Sequence, residues 1–370
     1  MNRVLATLAV LAALGTAAAA ATIGFGLYNV SARQGHLAPV AWALHTTFRH
    51  SAKLRAPPQS AVPPLTDDMA ALGARHYDRA CRTCHGTPGT AASATIRAMV
   101  PPPPPILQAV ADHPPNQLYW IVHEGIKMTA MPPWPAPRKD EAWSIAAFLT
   151  RLRDGMTPQE YTALTAPPET PPDAPRGFAY CAGCHGANGR SENPLIPRLD
   201  LQDAAYLTRS LQAYADGQRQ SGFMAEAATS IPATSLADLA AYFASLPTAD
   251  TGQSVDPGLA AKGAALAQGQ TASPDVPACV ACHGPRQTDA NRRLIGPDLA
   301  GQYPAYLEAQ LRLWRDGNRG GGPKSNLMAK AARSLTDDQI EALAAWFAGL
   351  QPSTTGPAKR TGPTATITTP

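Results

Sequence analysis

Six cysteines occur in this chain, and all six fall in one spacing: Cys81 and Cys84, Cys181 and Cys184, Cys279 and Cys282. Each pair is followed at once by a histidine and a glycine, the histidines being His85, His185 and His283. Two thiols two residues apart can each bond a haem vinyl group, and the adjoining histidine is then held beneath the iron as its proximal ligand. Three copies predict three covalently bound haem c groups. A structural zinc needs four ligands, usually from two paired clusters. Here each cluster offers three, and the clusters lie about a hundred residues apart. A thioredoxin-like pair would sit near a βαβ pattern, which is not found. No cysteine is left for a disulfide or a thiol nucleophile.

Length and composition suit that reading. At about 150 residues per domain, 370 residues suggest two to three domains. Aromatic residues are few (6%), charged residues sparse (16%) and prolines abundant (38). This favours a mainly α protein, with short helices joined by Pro-rich loops around haem, and a buried macrocycle would supply much of the core of each small domain. Pro-rich stretches at 57–64 and 167–175 read as spacers, and the Ser/Thr/Pro/Gly-rich 351–370 as a disordered tail. Haem domains are thus expected at 66–160, 174–248 and 254–350, after an N-terminal segment 1–31 and a juxtamembrane segment and linker 32–65.

Arg3 precedes an uncharged, largely apolar run from Val4 to Val30. A bilayer span takes about 20 helical residues, so the run is long enough. Its first part, with the alanines Ala17 to Ala21, also resembles a cleavable signal peptide. The apolar run continues past any cleavage point through Ile23, Phe25, Leu27 and Tyr28, which favours an uncleaved transmembrane anchor. Both readings export the rest of the chain, the side on which bacteria attach c-type haems, and so place the haem domains in the periplasm on an inner-membrane anchor. Positive charge is heavier after the run (Arg33, Arg49, Lys53, Arg55) than before it, which argues the opposite orientation. That rule is statistical, and three attachment motifs outweigh it. Val40, Leu44 and Phe48 recur at spacing four between His36 and Arg55. The segment reads as a helix on the membrane surface or one packed on the first domain. His36, His45 and His50 are expected at the surface.

The second and third units repeat each other. Leu199, Gln202, Tyr206, Leu207, Leu211, Gly217 and Arg219 return as Leu299, Gln302, Tyr306, Leu307, Leu311, Gly317 and Arg319, a constant offset of one hundred. Each closes on an apolar helical stripe: Leu236, Leu239, Ala240 and Phe243, then Ile340, Leu343, Ala344 and Phe347. Trp143, Ala146, Ala147 and Leu149 to Leu152 close the first in the same way.

With these residues in hand, all three units resemble class I cytochrome c domains: an N-terminal helix, the haem motif, a loop, a distal methionine and a C-terminal helix. Units two and three together resemble the dihaem cytochromes of the cytochrome c-four type, through Cys181 to Gly189 with Arg198-Leu199, and through Gly296 to Gln302. Unit one resembles the single-haem modules of respiratory and dehydrogenase-linked cytochromes, through Gly125 to Pro132. Domain two departs from the pattern. With only Pro175 to Tyr180 before its first cysteine, its N-terminal helix must be short or missing, whereas Gly73 and Tyr77 in domain one, and Gly263 and Leu266 in domain three, fit one that crosses the C-terminal helix. Domain one or three must cover the gap.

The resemblance implies a methionine as sixth ligand, which closes the iron to substrates and raises its potential. Domain two has only Met224 after its motif, and domain three only Met328. Domain one offers Met128 and Met131. Met131 is preferred because it precedes Pro132, as the family's ligand commonly does. A proline carbonyl orients the proximal imidazole in this family. Pro197 and Pro297 match that position, and the counterpart in domain one lies within Pro101 to Pro105. Arg219 and Arg319 either pair with haem propionates or are ordinary loop arginines.

Charge runs basic, acidic, near neutral along the chain: nine acids and thirteen bases over 31–166, nine and five over 167–250, nine and ten over 251–350. The pattern predicts a membrane-anchored electron carrier rather than an enzyme. It would relay single electrons from a quinol-oxidising complex or periplasmic dehydrogenase to an acceptor such as a terminal oxidase, with no nucleic-acid partner. The rival readings are a haem enzyme, a peroxidase or sulfur-compound oxidase, and a dedicated cytochrome subunit of a dehydrogenase. The enzyme reading would need acid/base groups such as His113, His123 and Glu124, all three expected at the surface.

Overall fold

The computed structural model describes residues 2–249, 253–270, 275–283, 296–322 and 325–352. Most of the 351–370 tail lies outside them. Every regular element among the described residues is helical. Helices of eight residues or more are numbered in chain order.

Helix α1 (Asn2–Gly24) has a mean hydropathy of 2.1 over its apolar window, and that window is uncovered by the rest of the chain. It stops short of Val30: Gly26 turns the backbone to a φ of 63°, which an L side chain resists. Helix α2 (Ala38–Arg55) carries Pro39 in its first turn, where a missing N–H costs nothing. Its C-terminal half packs on domain one, through buried Ala52 and a ring contact from Phe48 to His113 at 6.1 Å. Its N-terminal half leaves Val40, Trp42 and Leu44 exposed. The packing on domain one is one of the two roles weighed for this segment.

Domain one is built on α3 (Asp67–His76), α4 (Pro115–Glu124), α5 (Lys139–Arg153) and α6 (Pro158–Thr165). Thr66 caps α3, and Thr157 with Glu160 forms a capping box on α6. Helix α3 crosses α5 so closely that a Cβ on Gly73 would lie 2.1 Å from the Ser144 carbonyl oxygen. Only glycine fits there.

Domain two follows with α7 (Phe178–His185), α8 (Ala204–Ala215), α9 (Gly222–Ser230) and α10 (Leu236–Ser245). No helix precedes its haem motif between 166 and 177. Phe178 takes up part of the vacant space, stacking on Phe243 at 5.6 Å and meeting Tyr242 edge-on at 5.3 Å. Domain one covers the rest. Arg79 lies 3.9 Å over the Tyr180 ring and donates to the Tyr180 and Ala179 carbonyls, Arg75 donates to the Gly183 carbonyl, and Asn193 Nδ2 donates to the Asp68 carbonyl at 2.7 Å.

Domain three has the full set: α11 (Pro257–Ala267), α12 (Pro304–Arg315), α13 (Ser325–Ala332) and α14 (Asp337–Gly349). Here a Cβ on Gly263 would lie 1.9 Å from the Ala342 carbonyl oxygen, the same crossing as in domain one. Each domain has its own apolar cluster, centred on Phe148, Phe243 and Phe347 respectively.

The one-hundred offset in the sequence has a spatial counterpart. Gln202 donates to the Asp298 carbonyl at 2.7 Å and accepts from its N–H at 3.2 Å. Gln302 donates to the Arg198 carbonyl at 3.1 Å and accepts from its N–H at 2.9 Å. Each repeat thus grips the residue of the other that is equivalent to its own 198 or 298. Domains two and three face each other about a pseudo-twofold axis.

Candidate haem sites

The three motif histidines are held alike. Nδ1 of His85 lies 2.9 Å from the Pro104 carbonyl oxygen, that of His185 3.0 Å from Pro197, and that of His283 3.1 Å from Pro297. The counterpart within the first proline run is therefore Pro104. A bond at Nδ1 fixes the ring and leaves the Nε2 lone pair for a metal. Burial lowers the pKa of His185 and of His283 against the opposing hydrogen bond to each proline carbonyl, keeping both rings neutral, as an iron ligand must be. Gly296 approaches His283 so closely that a Cβ there would lie 2.6 Å from Cε1 of the ring.

Across from this imidazole, the Met328 sulfur lies 3.4 Å from His283 Nε2. The ring nitrogen and the thioether thus face each other. Met224 sits on α9, whose first turn is capped by Ser221, and it lines the same cavity as His185. In domain one Met128 is 87% exposed with a φ of 61°, whereas Met131 is half-buried and closes the turn through its carbonyl to the Ile126 N–H at 3.1 Å.

The cysteines are free rather than paired. Burial pushes the Cys81 thiol up to about 12 and Cys181 to about 11. Burial thus gives no help to thiolate chemistry at either sulfur.

A cavity of about 810 Å³ runs between domains two and three, lined by His185, Met224, His283 and Met328 together with Arg219 and Arg319. Both arginines are buried, so neither is an ordinary loop residue. Arg219 reaches the hydroxyls of Tyr206 (3.5 Å) and Tyr306 (3.3 Å) and lies 4.5 Å over the Tyr214 ring; Arg319 lies 4.4 Å over Trp314. Among the described residues no carboxylate comes within ion-pair distance of either. Burial raises the Tyr206 pKa, but the two guanidiniums outweigh it and bring the group down to about 8. A pair of buried cations needs an anion, and haem propionates carry that charge. The residues present fit the group.

His113 is half-buried, and His123 departs from the expected surface position. His123 stacks on Tyr119 at 5.5 Å, pairs Nδ1 with Glu124 at 2.7 Å, and buries Nε2 without a hydrogen-bond partner. No signal in the sequence pointed to a second group either, the clasp between domains one and two. Glu141, on α5, is 4% exposed and accepts from Trp134 Nε1 (3.1 Å), from Ser221 Oγ and from the Gly222 N–H (2.6 Å), with Arg138 at 3.0 Å.

The chain belongs to the class I c-type cytochromes, with a dihaem c4-like segment and a further cytochrome c module. Residues 68–149 match the family described as cytochrome C oxidase, cbb3-type, subunit III, and residues 260–351 the family described as cytochrome c. The thiosulfate dehydrogenase electron acceptor of Thiomonas intermedia is 37% identical over 191 residues, covering 50% of this chain and 86% of the relative. Cytochrome c4 of Pseudomonas aeruginosa is 35% identical over 172 residues, 46% of this chain and 84% of the relative. The crystal structure of reduced recombinant cytochrome c4 from Pseudomonas stutzeri is similar at 33% identity, 47% of this chain, 95% of that one and a TM-score of 0.42. The protein carries covalently bound haem c and is an electron carrier rather than an enzyme.

Proposed function

We propose that this chain is a trihaem cytochrome c, anchored in the bacterial inner membrane by α1 with its haem domains in the periplasm. Cys81 and Cys84, Cys181 and Cys184, and Cys279 and Cys282 attach the three groups. His85 and Met131, His185 and Met224, and His283 and Met328 would hold the three irons. The bound iron supplies one-electron redox chemistry. The residues of the chain bind and orient each group, shield it from water and hold the axial positions closed. The arrangement that carries this reading is His283, with Nδ1 on a proline carbonyl and Nε2 facing the Met328 sulfur.

The electron donor is a periplasmic dehydrogenase of the thiosulfate-oxidising class. Support comes from the relative named as electron acceptor of such an enzyme. The acceptor is a terminal oxidase, and the match of domain one to an oxidase subunit family supports it. The propionate-binding arginines between domains two and three and the clasp between one and two make the three domains one continuous path. Alkaline pyridine spectra of the purified protein should return three haem c per chain, and anaerobic mixing with thiosulfate and its dehydrogenase should reduce all three. Fewer haems, or rapid cyanide binding to one of them, would overturn the relay reading in favour of a haem enzyme. Extraction of the protein from membranes by salt alone would overturn the anchor.

A further inference from the structure

We infer that Glu141 of domain one is a positioning residue for the sixth ligand of domain two: it clamps the first turn of α9 and so holds Met224 against its iron. This rests on the reading of Met224 as an axial ligand. Domain two lacks the N-terminal helix that braces its siblings, so its distal side needs support from outside. Glu141 provides it by accepting the Gly222 N–H at 2.6 Å and the Ser221 hydroxyl. Ser221 in turn accepts the N–H of Met224 at 3.1 Å. The carboxylate therefore lies two hydrogen bonds from the backbone of the ligand. It meets the amino end of a helix, where unsatisfied N–H groups and the helix dipole both favour negative charge.

The surroundings keep Glu141 in place. Trp134 donates its indole N–H to the same carboxylate, and Arg138 balances the charge. A Cβ on Gly222 would lie 2.4 Å from the Trp134 ring, so the turn seats flush against domain one. Phe223, beside the ligand, closes the contact with rings of Trp134 at 5.2 Å and His76 at 4.9 Å. Domain three has its own crossing helix, α11.

Imidazole competes with methionine for haem iron, and its rate of entry reports how often the sulfur lets go. In the full-length, haem-loaded protein, Glu141→Ala should speed exchange at one haem of the three by about tenfold or more, since a hydrogen bond to a charged group contributes 1.5 kcal/mol or above. The Met224 methyl resonance, assigned by its loss in Met224→His, should broaden or move in the same variant. Glu141→Gln keeps an acceptor and should restore most of the wild-type rate. Asn193→Ala removes a different hydrogen bond between the two domains and should leave the rate unchanged. Unaltered exchange in Glu141→Ala overturns the inference, as does equal acceleration in Asn193→Ala, which would make any loosening of the interface sufficient. Loss of no axial signal in Met224→His would instead overturn the ligand assignment beneath it. If Glu141→Ala does not accumulate, Glu141→Gln with a rate shifted at all three haems alike overturns the inference.

Discussion

Arg198 offers the sharpest test of what joins domains two and three. Its side chain and that of Asp200 are both wholly inaccessible to solvent. The guanidinium grips the carboxylate through two bonds, Nε to Oδ1 at 2.9 Å and Nη2 to Oδ2 at 2.6 Å, and reaches the carbonyls of Ala249 (2.7 Å) and Gly301 (3.2 Å). Arg198→Ala removes all four and leaves a carboxylate buried without its cation, at a cost of about 3–5 kcal/mol. Guanidinium unfolding of wild type and variant at pH 7, followed by far-ultraviolet circular dichroism, reads this directly. A penalty below about 1 kcal/mol would refute the argument.

Other consequences follow from the same coordinates. Gly263→Ala should lower the stability of domain three by about 1–3 kcal/mol, since α11 and α14 must separate, despite the better helix propensity of alanine; thermal unfolding of the haem-loaded variant checks this. Burial, with help from Arg79, lowers His76 to about 4. Stability should then fall by up to about 3 kcal/mol as pH drops from about 6.5 through 4, because the unfolded chain takes up the proton first. His76→Phe keeps the ring contacts with Trp134 and Phe223 and should flatten that acid limb, as measured by denaturant titration across the range. Gln202→Ala and Gln302→Ala each break a reciprocal pair between the repeats. Each should cost about 1–3 kcal/mol, and the double variant should weaken docking of domains two and three enough to appear as separate unfolding transitions.

The features that repeat along the chain were readable without coordinates. The attachment motifs, the glycine crossings at Gly73 and Gly263, and the missing helix before Cys181 all depend on residues close in sequence, whose spacing sets local geometry. Pro197 and Pro297 were readable through the repeat, whereas Pro104 could not be picked from five adjacent prolines because only the course of the loop selects one carbonyl. The half-buried placement of His113 and His123 was not readable, since a polar residue near a helix end reads as solvated until its neighbours are known.

By itself, then, the sequence determined the three Cys-x-x-Cys-His motifs and the c-type cytochrome class they mark, the helical class and the apolar N-terminal segment, because motif spacing and helix periodicity act over a few residues. The tertiary structure alone decided how the domains join. Glu141 meets Ser221 across 80 positions, Arg79 meets Tyr180 across 101, and Gln202 meets Asp298 across 96. Nothing local distinguishes these side chains from solvated ones. Their roles arise when folding strips them of water, so that each buried charge or amide must find a partner wherever the packing of whole domains happens to bring one.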